Sequence, residues 1–150
     1  MEDRFEKFTT YIMQFNRYIQ KIKEIEMKEF NLHANHTMCI YFLSKNKDGL
    51  TSTELVKLCK EDKAAISRSI NYLIENDYII RKENTDKKTY RSLLILTDKG
   101  NDLAIKMQDK ISKALNIGGN NLDEKTRETF YDTLNTIMQN LEQHYNLNSK

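Results

Sequence analysis

Apolar residues recur at steps of three and four along most of this chain, which is the spacing of one face of an α-helix. Residues 4–30 keep this spacing without a glycine or proline, so they predict a first helix about 27 residues and about 40 Å long. The same spacing predicts a second helix ending at Lys45, a third at residues 52–59, and a fourth from a cap at Asp62 to about residue 76. The first half of the chain is therefore predicted to be helical.

After the fourth helix, the spacing changes to two short aliphatic runs, residues 78–80 and 92–96, which predict the strands of a hairpin. Tyr78 and Ile80 are expected to face the core, and the polar tip between the strands must project into solvent. The arm carries five cations against two carboxylates: Arg81, Lys82, Lys87, Lys88 and Arg91 against Glu83 and Asp86. A fifth helix is predicted after residues 97–100, and a sixth after a cap at Asp123.

The first and last helices carry apolar stripes that a small domain core cannot cover. The stripe residues are Phe5, Phe8, Ile12 and Phe15 in the first helix, and Leu134, Ile137, Leu141 and Tyr145 in the last. A long surface helix on a single domain is the alternative, but it would leave many aromatic side chains in water. We therefore predict that these stripes form the interface of a homodimer.

The third and fourth helices, joined by a short turn, predict a helix-turn-helix. Thr51 and Glu54 have the spacing of a capping box, which fixes the start of the third helix. The outer side of the fourth helix is small and polar. There, Arg68 could bind guanine, Asn71 adenine, and Ser67 either a base or a phosphate. An ordinary solvated helix face is the alternative, and the basic hairpin beside it favours DNA.

Composition narrows the class of protein. The 150 residues carry a net charge of only +2, so DNA binding depends on how the charges cluster. The sequence has no apolar leader and no apolar run of about 20 residues, which predicts a cytoplasmic protein that does not contact a membrane. A Gly-rich phosphate loop, a nucleophile elbow and paired catalytic carboxylates are all missing, so we predict no enzyme, no catalytic residue and no cofactor.

Several motifs, in this order, resemble those of the multiple-antibiotic-resistance regulator (MarR) family. They are Gly49-Leu50-Thr51 with Glu54-Leu55, Ile66-Ser67-Arg68, Leu73, Asp86-Lys87-Lys88 and Leu96-Thr97-Asp98-Lys99-Gly100. The resemblance covers essentially the whole chain. The wing of that family usually has Asp-x-Arg, whereas position 88 is lysine here, so Arg91 is the alternative wing cation. Asp77 stands where a glycine often ends the recognition helix, and aspartate tolerates the left-handed conformation.

The resemblance implies a mainly α fold with a small β-hairpin wing, a winged helix-turn-helix flanked by long N- and C-terminal dimerisation helices. Residues 1–150 would form one domain, with the DNA-binding lobe at about 36–100 and the dimerisation region at about 1–30 and 101–150. The implied function is a transcriptional regulator, a repressor that binds a pseudo-palindromic operator in double-stranded DNA as a homodimer. The alternative is a helical protein-interaction module that uses the same scaffold without DNA. The predicted DNA contacts are Thr51, Ser52, Lys63, Ala64, Ser67, Arg68, Asn71, Arg81, Asp86, Lys87, Lys88 and Arg91.

The resemblance also implies release of DNA by a small aromatic or phenolic effector. The candidate lining residues are Tyr11, Tyr18, His33, His36, Met38 and Cys39. For each of them a core or capping role is the stronger interpretation. The spacing of His33, His36 and Cys39 suggests zinc only weakly, because His33 is expected to precede the helix, and we predict no metal site. A redox role for Cys39 or Cys59 is not expected.

Overall fold

A computed structural model describes residues 3–83 and 92–147. In the described part, six α-helices and one two-stranded antiparallel sheet follow in the predicted order, so the predicted fold class is confirmed. The helices are α1 (Arg4–Met27), α2 (Ala34–Lys45), α3 (Ser52–Cys59), α4 (Lys63–Glu75), α5 (Asp98–Gly118) and α6 (Glu124–Tyr145), and the strands are β1 (Ile79–Lys82) and β2 (Leu93–Leu96).

The first helix ends three residues earlier than its apolar pattern predicted. Asp3 caps the start of α1, and its Oδ1 accepts a hydrogen bond from the backbone N–H of Phe5 at 2.9 Å. After Met27 the backbone tightens into a 3-10 turn (Lys28–Phe30) and stops at Asn31, which has a left-handed φ of 56°. The chain changes direction here, and the next residue, Leu32, is buried in the core.

Side chains of α1 hold the beginning of α2 in place. Glu24 Oε1 accepts a hydrogen bond from the backbone N–H of Ala34 at 2.7 Å. The backbone N–H of His33 donates to His36 Nδ1 at 3.0 Å, so two of the N–H groups at this helix start have acceptors. His33 is the N-cap residue, as its position in the sequence predicted. These contacts join the C-terminal part of α1 to the first turn of α2.

The hairpin pairs Ile79 with Leu96 and Lys82 with Leu93. The prediction that Ile80 faces the core is wrong, because Ile79 is fully buried and Ile80 is about half exposed. Tyr78 and Ile79 are both buried, so the alternation of the strand begins at Ile79 rather than at Tyr78.

The core lies within the first of two compact units, which comprises residues Met1–Ile111. Its fully buried side chains come from the end of α1, from α2, α3, α4, β1 and β2, and from the first half of α5, and include Met27, Ile40, Leu43, Leu55, Ile66, Ile70, Leu73, Ile79, Leu94 and Met107. Ser69 is buried on α4, whereas Ile74 is only half-buried. These helices and the hairpin therefore share one hydrophobic core.

The second unit, Ser112–Lys150, contains the end of α5 and all of α6. Asp123 caps α6 as predicted, because its Oδ1 accepts from the backbone N–H of Thr126 at 2.8 Å. Arg127 Nη2 donates to the carbonyl oxygen of Gly119 at 2.8 Å and so holds the α5–α6 turn against α6. Despite its 22 residues, α6 contains no buried side chain. Across the described residues, no helix is both long and apolar enough to cross a membrane.

Candidate nucleic-acid interface

Two capping interactions set the geometry of the helix-turn-helix. Thr51 Oγ1 accepts from the backbone N–H of Glu54 at 3.2 Å, and Glu54 Oε2 accepts from the backbone N–H of Thr51 at 2.8 Å. This is the predicted capping box at the start of α3. Asp62 Oδ1 accepts from the backbone N–H of Ala65 at 2.8 Å and caps α4. Between the helices, Lys60 adopts a left-handed φ of 56°, which makes the turn tight.

The C-terminal end of α4 is closed by a Schellman motif. The backbone N–H of Tyr78 donates to the carbonyl of Leu73 at 2.9 Å, and that of Asp77 donates to Ile74 at 3.1 Å. Asp77 has a left-handed φ of 63°, as expected for a residue in the position where a glycine often stands. Lys99 Nζ also donates to the carbonyl oxygen of Asn76 at 2.8 Å. Both ends of α4 are therefore capped, and Lys99 also holds its C-terminal end.

One face of α4 is buried, and the opposite face is exposed to solvent. Ile66, Ile70 and Leu73 pack in the core. The exposed residues in the first half of the opposite face are Lys63, Ala64, Ser67, Arg68 and Asn71. The side chains of Lys63, Ser67, Arg68 and Asn71 make no hydrogen bond or ion pair with any other described residue. The sequence predicted these five residues as contacts, and the helix presents all of them together.

Thr51 and Ser52 lie at the start of α3 and differ in accessibility. Thr51 is buried and its hydroxyl is engaged in the capping box, so its visible role is to position α3. Ser52 is half-buried at the first helical position. Of these two predicted contacts, Ser52 is the one whose side chain is accessible to a partner.

The base of the hairpin is locked to the helix-turn-helix. Leu50 pairs with Leu94 of β2 through backbone hydrogen bonds of 3.0 and 2.7 Å. Thr97 Oγ1 accepts from the backbone N–H of Gly100 at 3.0 Å, and a Cβ at Gly100 would lie 2.2 Å from the carbonyl oxygen of Tyr78. Glycine is therefore required where α5 crosses the end of β1. These contacts explain the Leu96–Gly100 motif as a structural joint.

Only the root of the predicted basic wing lies within the described residues. Arg81 and Lys82 are exposed on β1, and Arg81 Nη1 donates to Ser92 Oγ at 3.4 Å. Asp86, Lys87, Lys88 and Arg91 lie outside the described residues. The described part of the wing thus contributes two exposed cations next to the end of α4.

The six candidate effector residues differ in their exposure. Tyr11 and Tyr18 are exposed on α1, and His33 is exposed at the start of α2. His36 is buried and stacks on Tyr72 of α4 with ring centroids 4.5 Å apart, Met38 is half-buried, and Cys39 is fully buried. A shallow cavity of about 350 Å³ lies elsewhere, lined by Leu50, Glu54, Lys57, Leu58 and Lys60. Within the described residues, no three His, Cys, Asp or Glu side chains are grouped to hold a metal ion.

The region that contains the helix-turn-helix is similar to a known protein family. A family model described as MarR family matches residues 30–88, which include α2, α3, α4 and β1. Over these residues the chain is similar to the MarR family. The match ends within the wing, so the assignment of the other helices rests on structural similarity.

Solved structures of MarR-family proteins match almost the whole chain. A MarR-family regulator from Listeria monocytogenes complexed with 26mer DNA has 26% identity and a TM-score of 0.81, covering 97% of this chain and 93% of its own. A MarR protein from Peptoclostridium difficile has 20% identity and a TM-score of 0.83, with 97% and 94% covered. The Staphylococcus aureus MepR–DNA complex has 15% identity and a TM-score of 0.82, with 93% and 99% covered. Among curated proteins, none matches this sequence. The chain therefore has the fold of MarR-family transcriptional regulators, including two seen with DNA.

Proposed function

We propose that this chain is a sequence-specific transcriptional regulator that binds double-stranded DNA with the exposed face of α4 in the major groove. The observation that carries the proposal is the bare polar face of a helix whose opposite face is buried and whose ends are both capped. A helix held this rigidly presents its side chains without further ordering, which lowers the entropic cost of binding. The DNA complexes of two proteins with similar structures support DNA binding by this fold.

Within this proposal, the side chains divide into two roles. Arg68 has the planar fork that binds the O6 and N7 atoms of guanine, and Asn71 has the amide that pairs with adenine. Lys63 at the beginning of α4, and Arg81 and Lys82 on β1, carry charge suited to phosphate oxygens. The sequence at positions 86–91 adds further cations to the same arm, which we assign to the flanking backbone or minor groove.

Exposed apolar stripes support a homodimer as the DNA-binding form. Phe5, Phe8, Ile12 and Phe15 of α1 are all exposed by more than 40%. On α6, Leu141 and Tyr145 are exposed, and Leu134 and Ile137 are half-buried. Two copies that shared these stripes would present two α4 helices, and a pseudo-palindromic operator would match that symmetry. Binding at such an operator would make the protein a repressor of the genes it overlaps.

Release by a small aromatic effector is the least supported part of the proposal. Tyr11 and Tyr18 are exposed on α1 and could contact such a ligand, whereas Cys39 and His36 are buried among core side chains. An effector that reached α4 would have to act through α1, because α1 contacts α2 and α2 packs on α4. Among the six candidates, the effector proposal therefore rests mainly on the three exposed side chains, Tyr11, Tyr18 and His33.

The direct test is selection of genomic fragments by the purified protein, followed by measurement of affinity at several salt concentrations. We expect enriched sites with two half-sites about 10 base pairs apart, and a logarithmic loss of affinity with salt that reflects the phosphates neutralised. If no duplex, including the region upstream of its own gene, is bound at low salt, the chain is an interaction module instead. A site without internal symmetry would contradict the dimer part of the proposal alone.

A further inference from the structure

Two tyrosine hydroxyls connect the C-terminal end of α4 to the turn that follows α1. Tyr72, in α4, donates from Oη to the carbonyl oxygen of Asn31 at 2.6 Å. Tyr78, which follows the helix, donates from Oη to the carbonyl oxygen of Phe30 at 3.4 Å. The last carbonyl groups of a helix lack donors within that helix, so these hydroxyls complete the turn. The bond of Tyr72 is short, whereas that of Tyr78 is long and therefore weaker.

The ring of Tyr72 is also held in place. It stacks on the ring of His36, with the centroids 4.5 Å apart and the planes 9° from parallel. His36 is buried in the first turn of α2, where its Nδ1 accepts from the backbone N–H of His33 at 3.0 Å. The side chain of Tyr72 therefore contacts the junction of α1 and α2, while its backbone belongs to α4, next to Asn71 of the exposed face.

The angle between α4 and α1 matters for the proposed dimer. α1 carries an exposed stripe that we assign to the dimer interface, so its orientation determines where each copy places α4. Lys63 lies about 14 Å along α4 from Tyr72. A tilt of about 15° at Tyr72 would move Lys63 by about 3–4 Å, which is about the rise of one base pair. A contact at this end of α4 can therefore change which spacing of half-sites the two copies fit.

We propose that Tyr72 is a positioning residue, which fixes the angle of α4 relative to α1 and thereby selects the spacing of the two DNA half-sites. This inference rests on the proposed function, because it needs a dimer that binds two half-sites. Within the chain, the hydroxyl and the ring of Tyr72 are already engaged by Asn31 and His36. To fit an operator of different spacing, the wild type must break the bond to Asn31, whereas a chain without the hydroxyl has no such bond to break.

The test compares the wild type with Tyr72→Phe, which keeps the ring next to His36 and removes only the hydroxyl. Binding is measured to the selected operator and to versions whose centre is one base pair longer or shorter. We expect the preference for the selected spacing to fall about fivefold for each copy whose α4 must move, which is the factor that one net hydrogen bond supplies. The salt slope and the base preference at the position assigned to Arg68 should stay unchanged, because α4 keeps its DNA-facing side chains.

Ser44→Ala is the matched control. It removes a hydroxyl that accepts from Gln108 Nε2 of α5 at 3.2 Å and donates to the carbonyl oxygen of Tyr41 at 2.6 Å, and neither bond involves α4. We expect this variant to lose thermal stability but to keep the wild-type preference for spacing. A preference that fell as far in Ser44→Ala as in Tyr72→Phe would show a general loss of rigidity and would overturn the assignment to Tyr72.

Hydrogen exchange provides a measurement that needs no DNA. The backbone N–H groups of Asn31 and Leu32 donate to the carbonyl oxygens of Lys28 and Met27 at 3.0 and 3.1 Å. We expect both to exchange faster in Tyr72→Phe than in the wild type, because the turn loses its contact with α4. An unchanged spacing preference, even with weaker binding throughout, or unchanged exchange would overturn the inference and leave DNA binding intact. If the wild type binds no operator, the proposed function fails, and this inference fails with it.

Discussion

Helices α4 and α6 are both amphipathic, yet they stand in opposite situations. On α4, Ile66, Ile70 and Leu73 are buried by the rest of the chain, and the polar face is exposed to solvent. By contrast, α6 has the longer stripe but no buried residue at all. The pattern of apolar residues predicts that a helix forms and which side seeks a partner, but it does not tell where the partner comes from. For α4 the partner is in the chain, and for α6 we infer a second copy.

The largest effect is expected from a charge placed in the exposed apolar stripe of α1, which we assign to the same dimer interface as the stripe of α6. We expect Ile12→Asp to convert the protein to monomers and to abolish operator binding with them, because a carboxylate cannot be buried in an apolar interface without a partner. Sedimentation velocity and a DNA-binding titration measure the two effects. Thr10→Asp introduces the same charge on the other side of α1 and should leave both unchanged. A monomeric Ile12→Asp that still bound DNA tightly would sink the dimer proposal.

The difference between α4 and α6 can also be measured with matched side-chain truncations, one in each of the two helices. Leu73→Ala on α4 should cost about 2–5 kcal/mol of unfolding free energy, because it leaves a cavity in a closed core. Leu141→Ala on α6 removes the same atoms from a side chain that is 44% exposed. Its cost should appear as a dimer dissociation constant raised about tenfold, or about 1.4 kcal/mol. Urea unfolding and sedimentation equilibrium would distinguish the two.

If Leu141→Ala lowered the unfolding free energy of a dilute, monomeric sample as much as Leu73→Ala does, α6 would be packed within its own chain. The inferred interface would then lose its main support on that helix. Unfolding should be followed at two protein concentrations, because a dimer becomes more stable as concentration rises.

The bare face of α4 is tested by substitutions that leave its buried face intact. We expect Arg68→Ala to weaken operator binding by about 1–3 kcal/mol and to relax the preference at one base pair. Lys63→Ala should weaken all sequences alike and lower the salt slope by about one unit. Both side chains are exposed and lack partners among the described residues, so neither change should alter thermal unfolding. The reverse pattern would mean that Lys63 contacts bases and Arg68 contacts phosphates.

Local signals in the sequence were sufficient for most of the fold. The capping box at Thr51, the cap at Asp62 and the left-handed Asp77 all depend on neighbours within a few residues, and each is confirmed. Ile80 was assigned to the wrong side because the register of a short strand depends on how the preceding turn ends. The Schellman motif after α4 already buries Tyr78, and the strand begins one residue later.

Contacts between distant residues could not be found from the sequence. Lys60 follows Cys59 directly in the sequence, whereas the charged groups that act on the Cys59 thiol in the structure include Lys23 of the distant α1. In the same way, the spacing of His33, His36 and Cys39 gave no indication of what surrounds the two buried residues. His36 stacks on Tyr72, and Cys39 is fully buried in the core. The spacing of residues along one helix does not reveal which side chains of neighbouring helices lie next to them.

The smallest predicted effect concerns pH, and it arises where α2 meets α4. Burial lowers the pKa of His36 below its ordinary value, and His33 lowers it further, whereas Glu24 opposes the shift. The unfolded chain therefore binds a proton at this site more readily than the folded chain does. Stability is complete above the unfolded pKa of about 6.5 and falls as the pH drops from there towards the lower folded value.

Protonation would also remove the acceptor at His36 Nδ1 that receives the backbone N–H of His33, which weakens the start of α2. We expect urea unfolding between pH 7 and pH 5 to show a smaller loss of stability in His36→Gln than in the wild type. Glutamine at this third helical position can still accept that hydrogen bond but cannot be protonated in this range. An equal pH dependence in both proteins would show that other groups govern the acid response, and that the contact of α2 with α4 through Tyr72 is insensitive to the charge on His36.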